Sequence, residues 1–359
     1  MGMEREFSKV VSDSGEQDWP TLLRDNARGG GQNPQSFRAP TKARWQTRVD
    51  GDVRSAPVLR GGVLYVTSMA GYLSAIDAGS GRLKWKFKAS AGIHSTPSVS
   101  GERVLFGCGD GKVYAVDGAA GTKVWEVATE DEVWTSPVVR NKTVYFGSAD
   151  GRMYAVEFET GKTKWKQLLG GRIYSTAYAA EKQIYVGCGD GDVYSMDAAM
   201  GNVLWKAVTG NGIDCSPALG GTLTGGILLI GSQDFFFYAI DANTGAIRWK
   251  YEAELGITSS PAISGELVIF GTKDGALVAL EMQTGKVAWK SRVGEVITAP
   301  PVVSGAVVWI QSGGVSALSA TDGKVLWRAW LGNSVQSAPV ITEGGIYITG
   351  MEGHIYALE

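Results

Sequence analysis

The stretch that decides the fold runs from Val133 to Trp165. It reads V-W-T-S-P-V-V at 133–139, V-Y-F-G-S-A-D-G-R-M-Y-A-V-E at 144–157 and T-G-K-T-K-W at 160–165. Short runs with alternating apolar residues, separated by Gly-containing turns, are typical of β-strands joined in hairpins. The stretch therefore predicts a small unit of antiparallel strands that ends in a tryptophan.

This unit returns along the chain, and a tryptophan closes each copy. The closing residues are Trp45, Trp85, Trp125, Trp165, Trp205, Trp249, Trp289 and Trp327, with successive spacings of 40, 40, 40, 40, 44, 40 and 38 residues. Four short strands in a repeat of about forty residues are typical of a β-propeller blade. We therefore predict an all-β chain, with a single eight-bladed β-propeller of four-stranded antiparallel blades at residues 41–359.

The two ends of the repeat complete one another. Residues 43–47 have the pattern of a closing tryptophan strand with no blade before it, and residues 355–359 stop where such a strand should follow. We expect the last blade to take its outermost strand from residues 43–49 and its inner three strands from about 333–359. This exchange closes the ring and leaves no long open sheet edge.

Residues 1–40 lie outside the repeat and are polar. Within them, Asp18–Leu23 (D-W-P-T-L-L) is an island of apolar residues, followed by a stretch with the composition of a linker at 29–35. We expect this N-terminal arm to dock on the propeller through the island. The other interpretation is that Trp19 contacts a partner.

Composition excludes several classes of protein. The 34 Lys and Arg residues against 36 Asp and Glu give a formal net charge of −2, with no basic patch for nucleic acid. No apolar run has the length of a signal peptide or a transmembrane helix. We expect a monomeric propeller in the cytoplasm for the chain as written, or in the periplasm or another extracytoplasmic compartment if a leader peptide has been removed.

A functional site in a repeat protein should lie where the repeats differ. Three residues before the proline that begins each blade, the side chain changes from copy to copy, whereas its neighbour is always Val or Ile. The variable residues are Arg54, His94, Trp134, Tyr174, Asp214, Thr258, Thr298 and Gln336. Strand alternation turns them away from the Val or Ile side chains, so we expect them to ring one mouth of the central channel.

Further residues are expected to extend this rim. Asp52, Glu132 and Arg172 add charge two positions before the variable residue in three of the repeats. In blade five, Phe235 replaces the usual turn glycine and Phe236 replaces a polar or small residue. Surplus aromatic residues on a rim are typical of a partner-binding patch. A small-ligand lining, a solvated channel and local loop packing are the alternatives.

Catalytic motifs are missing from the sequence. The two histidines, His94 and His354, fall in different blades, and no nucleophile elbow, phosphate loop or zinc motif occurs. The cysteines, Cys108, Cys188 and Cys215, are neither adjacent nor in C-x-x-C spacing, and we expect buried thiols. We therefore assign no catalytic or metal-binding residue, and the residues favour a protein that is not an enzyme.

The turns inside the blades carry a specific prediction. Asp-Gly pairs separate two apolar runs at Asp110-Gly111, Asp150-Gly151, Asp190-Gly191 and Asp274-Gly275. Such pairs favour type I′ hairpin turns, in which both central residues have positive φ. The closing tryptophans are interpreted as core between neighbouring blades.

The run Tyr114–Trp125 (Y-A-V-D-G-A-A-G-T-K-V-W) and the run Tyr238–Gly245 ahead of Trp249 resemble the A-x-D-x-x-T-G-x-x-x-W tryptophan-docking motif of the quinoprotein (PQQ-type) β-propeller superfamily. The resemblance covers residues 41–359. In size and repeat pattern the chain is similar to bacterial BamB-like and other PQQ-like repeat proteins. That resemblance implies a non-catalytic scaffold that binds a protein or peptide partner and requires no cofactor.

The dehydrogenases of this superfamily imply a different function. They hold a quinone between a tryptophan and a disulfide of adjacent cysteines, beside a calcium ion. By that resemblance the chain would be a small-ligand or PQQ-binding propeller with calcium, in which Trp134 is the platform and Asp214 the acidic group. The sequence has no adjacent cysteine pair and no long insertions, so dehydrogenase activity is the least supported version.

Overall fold

Each repeat of the sequence forms one four-stranded antiparallel sheet, and eight such sheets are arranged as the blades of a ring in the computed structural model. The prediction of an eight-bladed β-propeller is confirmed. The structure describes residues 39–221, 225–294, 296–329, 337–342 and 344–359. The predicted N-terminal arm and its island lie outside these residues. Within them, no helix is long and apolar enough to cross a membrane.

The strands follow the chain from the channel outward in every blade except the last. Blades 1 to 4 consist of β2 (Val58–Arg60), β3 (Val63–Thr67), β4 (Tyr72–Asp77) and β5 (Leu83–Lys88); β6 (Ser98–Ser100), β7 (Arg103–Gly107), β8 (Lys112–Asp117) and β9 (Lys123–Ala128); β10 (Val138–Arg140), β11 (Thr143–Gly147), β12 (Arg152–Glu157) and β13 (Thr163–Leu168); β14 (Tyr178–Ala179), β15 (Gln183–Gly187), β16 (Asp192–Asp197) and β17 (Val203–Val208). Blades 5 to 7 consist of β18 (Ala218–Gly220), β19 (Ile227–Gly231), β20 (Phe236–Asp241) and β21 (Ile247–Glu252); β22 (Ala262–Ser264), β23 (Leu267–Gly271), β24 (Ala276–Glu281) and β25 (Val287–Arg292); β26 (Val302–Ser304), β27 (Val307–Gln311), β28 (Val315–Ser319) and β29 (Val325–Ala329).

Blade 8 joins the two ends of the repeat. It consists of β30 (Val340–Thr342), β31 (Gly345–Thr349), β32 (His354–Leu358) and, as its outermost strand, β1 (Ala43–Arg48). Trp45 of β1 lies opposite Ala357 of β32, and the Thr41 N–H donates a hydrogen bond of 2.8 Å to the Glu359 carbonyl. The N-terminal strand therefore closes the ring as the sequence predicts.

The core lies between the blades rather than at one centre. The third strand of a blade is buried on both faces, as in β8, where Val113 to Val116 are all buried. The outermost strand, such as β13, alternates between half-buried and exposed residues. Neighbouring blades thus cover each other's inner strands, and only the outer strand is left to solvent.

Each closing tryptophan except that of blade 7 lies on a glycine of the next blade. Trp85 Nε1 donates a hydrogen bond of 3.1 Å to the Gly118 carbonyl, and a Cβ added to Gly121 would lie 2.6 Å from the Trp85 ring. Gly121 also has a φ of 70°, so both its conformation and this contact require glycine. The same contact joins Trp45 to Gly81, Trp125 to Gly161, Trp165 to Gly201, Trp205 to Gly245, Trp249 to Gly285 and Trp289 to Gly323.

The predicted type I′ turns are wrong. At Asp110-Gly111 only the glycine has a positive φ, of 78°. The Asp110 carboxylate accepts hydrogen bonds from the Lys112 N–H (3.2 Å) and the Tyr114 hydroxyl (2.6 Å). These bonds hold the aspartate in the ordinary backbone region and give a three-residue loop whose last residue is left-handed. The expectation of buried free thiols is met, because all three cysteines are buried and unpaired.

Candidate functional site

The variable residues that the structure describes lie on one face of the ring, termed here the mouth face. Two kinds of loop meet on it: the loops that enter each blade and the turns between the second and third strands. Ala149 in such a turn donates a hydrogen bond of 2.9 Å to the Glu132 carbonyl of an entry loop. Beside Trp134, which is 37% exposed, Val133 is fully buried. Because successive side chains along an extended strand point in opposite directions, Val133 packs inside the ring and Trp134 faces the rim.

Three rim side chains from successive blades form a stack, termed here the aromatic arc. The His94 and Trp134 rings lie 4.4 Å apart and are inclined by only 17°, and Trp134 lies 5.0 Å from Tyr174 at 36°. Because His94 and Tyr174 come from the blades on either side, Trp134 stands between them. The indole thus packs against a ring on each side and still stays 37% exposed.

Arg172 orients the end of the aromatic arc. Its Nη1 donates a hydrogen bond of 3.1 Å to the Tyr174 hydroxyl, and its Nη2 lies 4.0 Å from the Asp131 carboxylate. The Arg172 side chain is 63% exposed, so this ion pair contributes little to stability. The guanidinium instead restricts the rotation of the phenol and keeps the arc preorganised.

The other end of the arc is His94, which is half-buried. Burial lowers the pKa of His94, the nearby Arg54 guanidinium lowers it further, and Glu132 opposes both effects. His94 is therefore neutral at pH 7 and stacks on Trp134 as an uncharged ring. Arg54 is exposed beside it.

Across the mouth, blades 5 and 6 present a polar arc instead. Gln233 Nε2 donates a hydrogen bond of 2.5 Å to Asp214 Oδ2. Burial raises the pKa of Asp214, while Lys273 and the Gln233 hydrogen bond partly offset that effect. The Thr258 hydroxyl oxygen is buried here without a hydrogen-bond partner. The mouth thus has two chemically different halves.

Phe235 lies on the mouth face in an unusual conformation. Its φ is 76°, where blades 1 to 4 and blade 6 have glycine at the same place in the turn. The left-handed conformation costs an aromatic residue about 1–2 kcal/mol, yet the Phe235 side chain is 49% exposed. Beside it, Lys250 Nζ lies 4.0 Å above the Phe236 ring, a cation–π contact that keeps Phe236 half-buried.

Four further apolar residues on this face were not singled out by the sequence. They are Leu168 (58% exposed), Val208 (64%), Leu255 (44%) and Val296 (49%). Together with Trp134 and Phe235 they are spread over blades 3 to 7, and these six residues are termed here the apolar crescent. A comparison of repeats could have found Leu168 and Val208, because they occupy the last position of the outer strand, where blade 1 has Lys88 and blade 6 has Arg292.

The structure brings only some of the predicted rim residues together. Arg54, Glu132 and Arg172 lie around the aromatic arc, while Phe235 and Phe236 lie two blades away from Trp134 in the polar half. Thr298 is exposed and Thr258 half-buried. Asp52 accepts a hydrogen bond of 3.2 Å from the Glu352 N–H. Gln336 lies outside the residues that the structure describes.

These residues do not fit the quinone and calcium site that the dehydrogenase resemblance implies. A quinone platform needs an open aromatic face, and both faces of Trp134 are taken by His94 and Tyr174. In the described parts of the chain, no three His, Cys, Asp or Glu side chains are grouped so that they could hold a metal ion. The arrangement is instead a rigid aromatic edge beside exposed apolar side chains.

Comparisons with known proteins agree with the repeat pattern. The model of the family described as "Outer membrane protein assembly factor BamB" matches residues 36–133, 109–224, 189–299 and 283–359, which together span most of the chain. No curated protein sequence gives a significant match.

Solved structures with low sequence identity share the fold. The chain is similar to BamB from Moraxella catarrhalis, with 18% identity and a TM-score of 0.74 over 89% of this chain and 99% of that one. It is also similar to the quinohemoprotein alcohol dehydrogenase from Comamonas testosteroni, with 16% identity and a TM-score of 0.83 over 97% and 81%. A computationally designed protein, Ika8, has 17% identity and a TM-score of 0.76 over 87% and 98%. At this identity the likeness shows the fold alone.

Proposed function

Since the chain belongs to the BamB-like family of outer membrane protein assembly factors, we propose that it is a non-catalytic scaffold that binds a partner protein or peptide at its channel mouth. The observation that carries this proposal is the apolar crescent. Its six large apolar side chains are exposed on one face of five successive blades. Large apolar side chains that stay exposed on one face of a domain are typical of an interaction site.

The aromatic arc has the properties of a binding hot spot. Trp and Tyr are enriched among residues that dominate binding energy, because they bury a large area with few rotatable bonds. Trp134 is already held between His94 and Tyr174, so little side-chain entropy is lost when a partner covers its edge. The arc is therefore suited to a protein surface rather than to a planar small molecule.

The strain at Phe235 supports the same interpretation. A glycine would relieve the left-handed backbone, and about half of the Phe235 side chain is exposed rather than packed. Strained residues persist where function retains them. We infer that Phe235 is a second anchor, placed two blades from Trp134 on the same face.

A comparison of captured partners tests this function. Wild-type chain, the double variant Trp134→Ala with Phe235→Gly, and the control Val287→Ala would each be used to isolate partners from extracts of the source cells. Val287 is 50% exposed but is the first residue of the outer strand of blade 6, at the end away from the mouth. We expect the wild type and the control to retain the same protein, and the double variant to lose it by at least tenfold.

Equal recovery by all three chains would contradict the proposed surface. A separate measurement addresses the alternative ligand: PQQ with calcium should not raise the unfolding temperature, since a ligand that binds only the folded chain must stabilise it. A clear rise would favour a quinone-binding propeller instead.

A further inference from the structure

A groove lies at the interface between blades 8 and 1, termed here the seam, where the two ends of the repeat close the ring. The groove has a volume of about 230 Å³ and lies between β1 of blade 8 and the outer strands of blade 1. Thr47 and Val49 line one side, and Ser74, Ile76, Leu83 and Lys86 line the other. Its apolar wall includes Leu83, which is 54% exposed.

A comparison with the next interface explains why the groove exists. Between blades 1 and 2, Phe87 fills the corresponding place, with its ring 5.7 Å from Tyr114. Thr47 is the equivalent of Phe87, since each comes two residues after the closing tryptophan. Ser74 is the equivalent of Tyr114, since each lies third in the third strand of its blade. Two aromatic side chains are thus replaced by two small ones, and the volume they would fill is left open.

We propose that Trp19 of the N-terminal arm fills this groove. A cavity of about 150 Å³ is enough to hold a benzene ring, so the larger groove has room for an indole. Trp19 belongs to the apolar island Asp18–Leu23, whose sequence otherwise has no place in the repeat. The island supplies the aromatic group that this seam lacks.

The position of the arm makes the contact attainable. Thr41 is fixed at the start of β1 by its hydrogen bond to Glu359, and 17 residues separate it from Leu23. An extended chain of that length reaches about 60 Å, whereas the six residues of β1 are only about 20 Å long. Lys86 at the groove is already paired with Asp50 at 2.8 Å, so it is the length of the arm and not charge that makes the contact attainable.

Docking at this place would strengthen the closure of the ring. The seam joins β1, from the start of the propeller, to β32 at its end, and blade 8 depends on that pairing. A tryptophan packed across β1 and blade 1 would bury apolar surface on both. The arm would therefore act as a strap on the closing strand, independently of any partner at the mouth.

Photo-crosslinking of the full-length chain locates the arm directly. With p-benzoylphenylalanine in place of Trp19, irradiation and peptide mapping by mass spectrometry should give crosslinks within residues 43–50 and 72–86. Crosslinks confined to other blades, crosslinks only between two chains, or no crosslinks at all would each overturn the proposal.

A double-mutant cycle supplies the second measurement. Trp19→Ala should lower the midpoint of thermal unfolding by about 2–6 °C, and Phe7→Ala, outside the island, should not. Thr47→Phe restores the missing aromatic group, so in that background Trp19→Ala should have little effect. An unchanged midpoint for Trp19→Ala, an equal decrease for Phe7→Ala, or an undiminished effect in the Thr47→Phe background would show that Trp19 does not occupy the groove.

Discussion

The interfaces between blades and the channel mouth are built from the same eight repeats but differ in how much they vary. At seven of the interfaces a tryptophan lies on a left-handed glycine of the next blade. At the mouth, the equivalent positions hold His94, Trp134 and Tyr174 in a stack and then Asp214 in a polar arc. Residues that are the same in every repeat hold the ring together, whereas residues that differ between repeats are free to take part in binding.

Tryptophan has a different environment at a blade interface and at the mouth. Trp125 is 8% exposed, and its Nε1 donates a hydrogen bond of 2.9 Å to the Phe158 carbonyl of the next blade. Trp134, nine residues later, is 37% exposed, and its ring packs against His94 and Tyr174 of the rim. Because Trp125 is buried and hydrogen-bonded, it contributes to stability. The exposed Trp134 is available to a partner.

The largest expected effect comes from the matched substitutions Trp125→Ala and Trp134→Ala. Removing a buried tryptophan costs about 3–5 kcal/mol, whereas loss of the stacking at the rim costs about 1 kcal/mol. Thermal and denaturant unfolding of both variants would measure the difference. Similar losses for the two would mean that the mouth is part of the structural core, which would remove the distinction between the two regions.

A smaller effect of opposite sign is expected at Phe235. Phe235→Gly relieves about 1–2 kcal/mol of left-handed strain and increases the entropy of the unfolded chain by about 0.4–1 kcal/mol. The net result is a stabilisation of roughly 0.5–1 kcal/mol, measured by denaturant unfolding.

Gly111→Phe makes the opposite change, because Gly111 has the same place in the turn of blade 2 as Phe235 has in blade 5. A Cβ on Gly111 would lie 3.2 Å from the Asp131 carbonyl oxygen, and φ is 78°, so this change should destabilise the fold. If Phe235→Gly were destabilising as well, the Phe235 ring would be contributing to packing, and its role as a retained binding residue would have no support.

The fold could be predicted because its packing positions recur with the repeat. A closing tryptophan every forty residues requires the same neighbour in each blade, and the matching ends of the repeat predict the closing strand. The turn type could not be obtained from Asp-Gly alone. The bond from the Tyr114 hydroxyl to Asp110 depends on a residue four positions away, and it favours the three-residue loop.

The mouth was predictable only in part. The position that varies between repeats follows from alternation along a strand, so the sequence identifies which residues face the channel; their role in binding stays a prediction. The stacking of His94 on Trp134 depends on the spacing between neighbouring blades, which no single repeat encodes. Leu168 and Val208 were missed because an apolar residue at the end of a strand usually indicates burial, and here both are exposed.

The smallest expected effect concerns the charge of His94. Its pKa is lowered in the folded chain by burial and by Arg54, so the unfolded chain binds more protons once the pH falls to about 6.5, the ordinary value for histidine. The contribution of His94 to stability is therefore complete above that pH and decreases as the pH falls below it. His94→Gln should make unfolding less dependent on pH between about 7 and 5.

Proton NMR can follow this titration directly, because the chain has two histidines and His94→Gln assigns the remaining resonance to His354. Arg54→Gln should raise the pKa of His94 by removing a repulsive charge, and Glu132→Gln should lower it by removing an attractive one. Shifts in these opposite directions would show that the aromatic arc is tuned by its charged neighbours. A pKa of His94 that neither substitution changes would mean that burial alone keeps the ring neutral, and that Arg54 and Glu132 are free to interact with a partner.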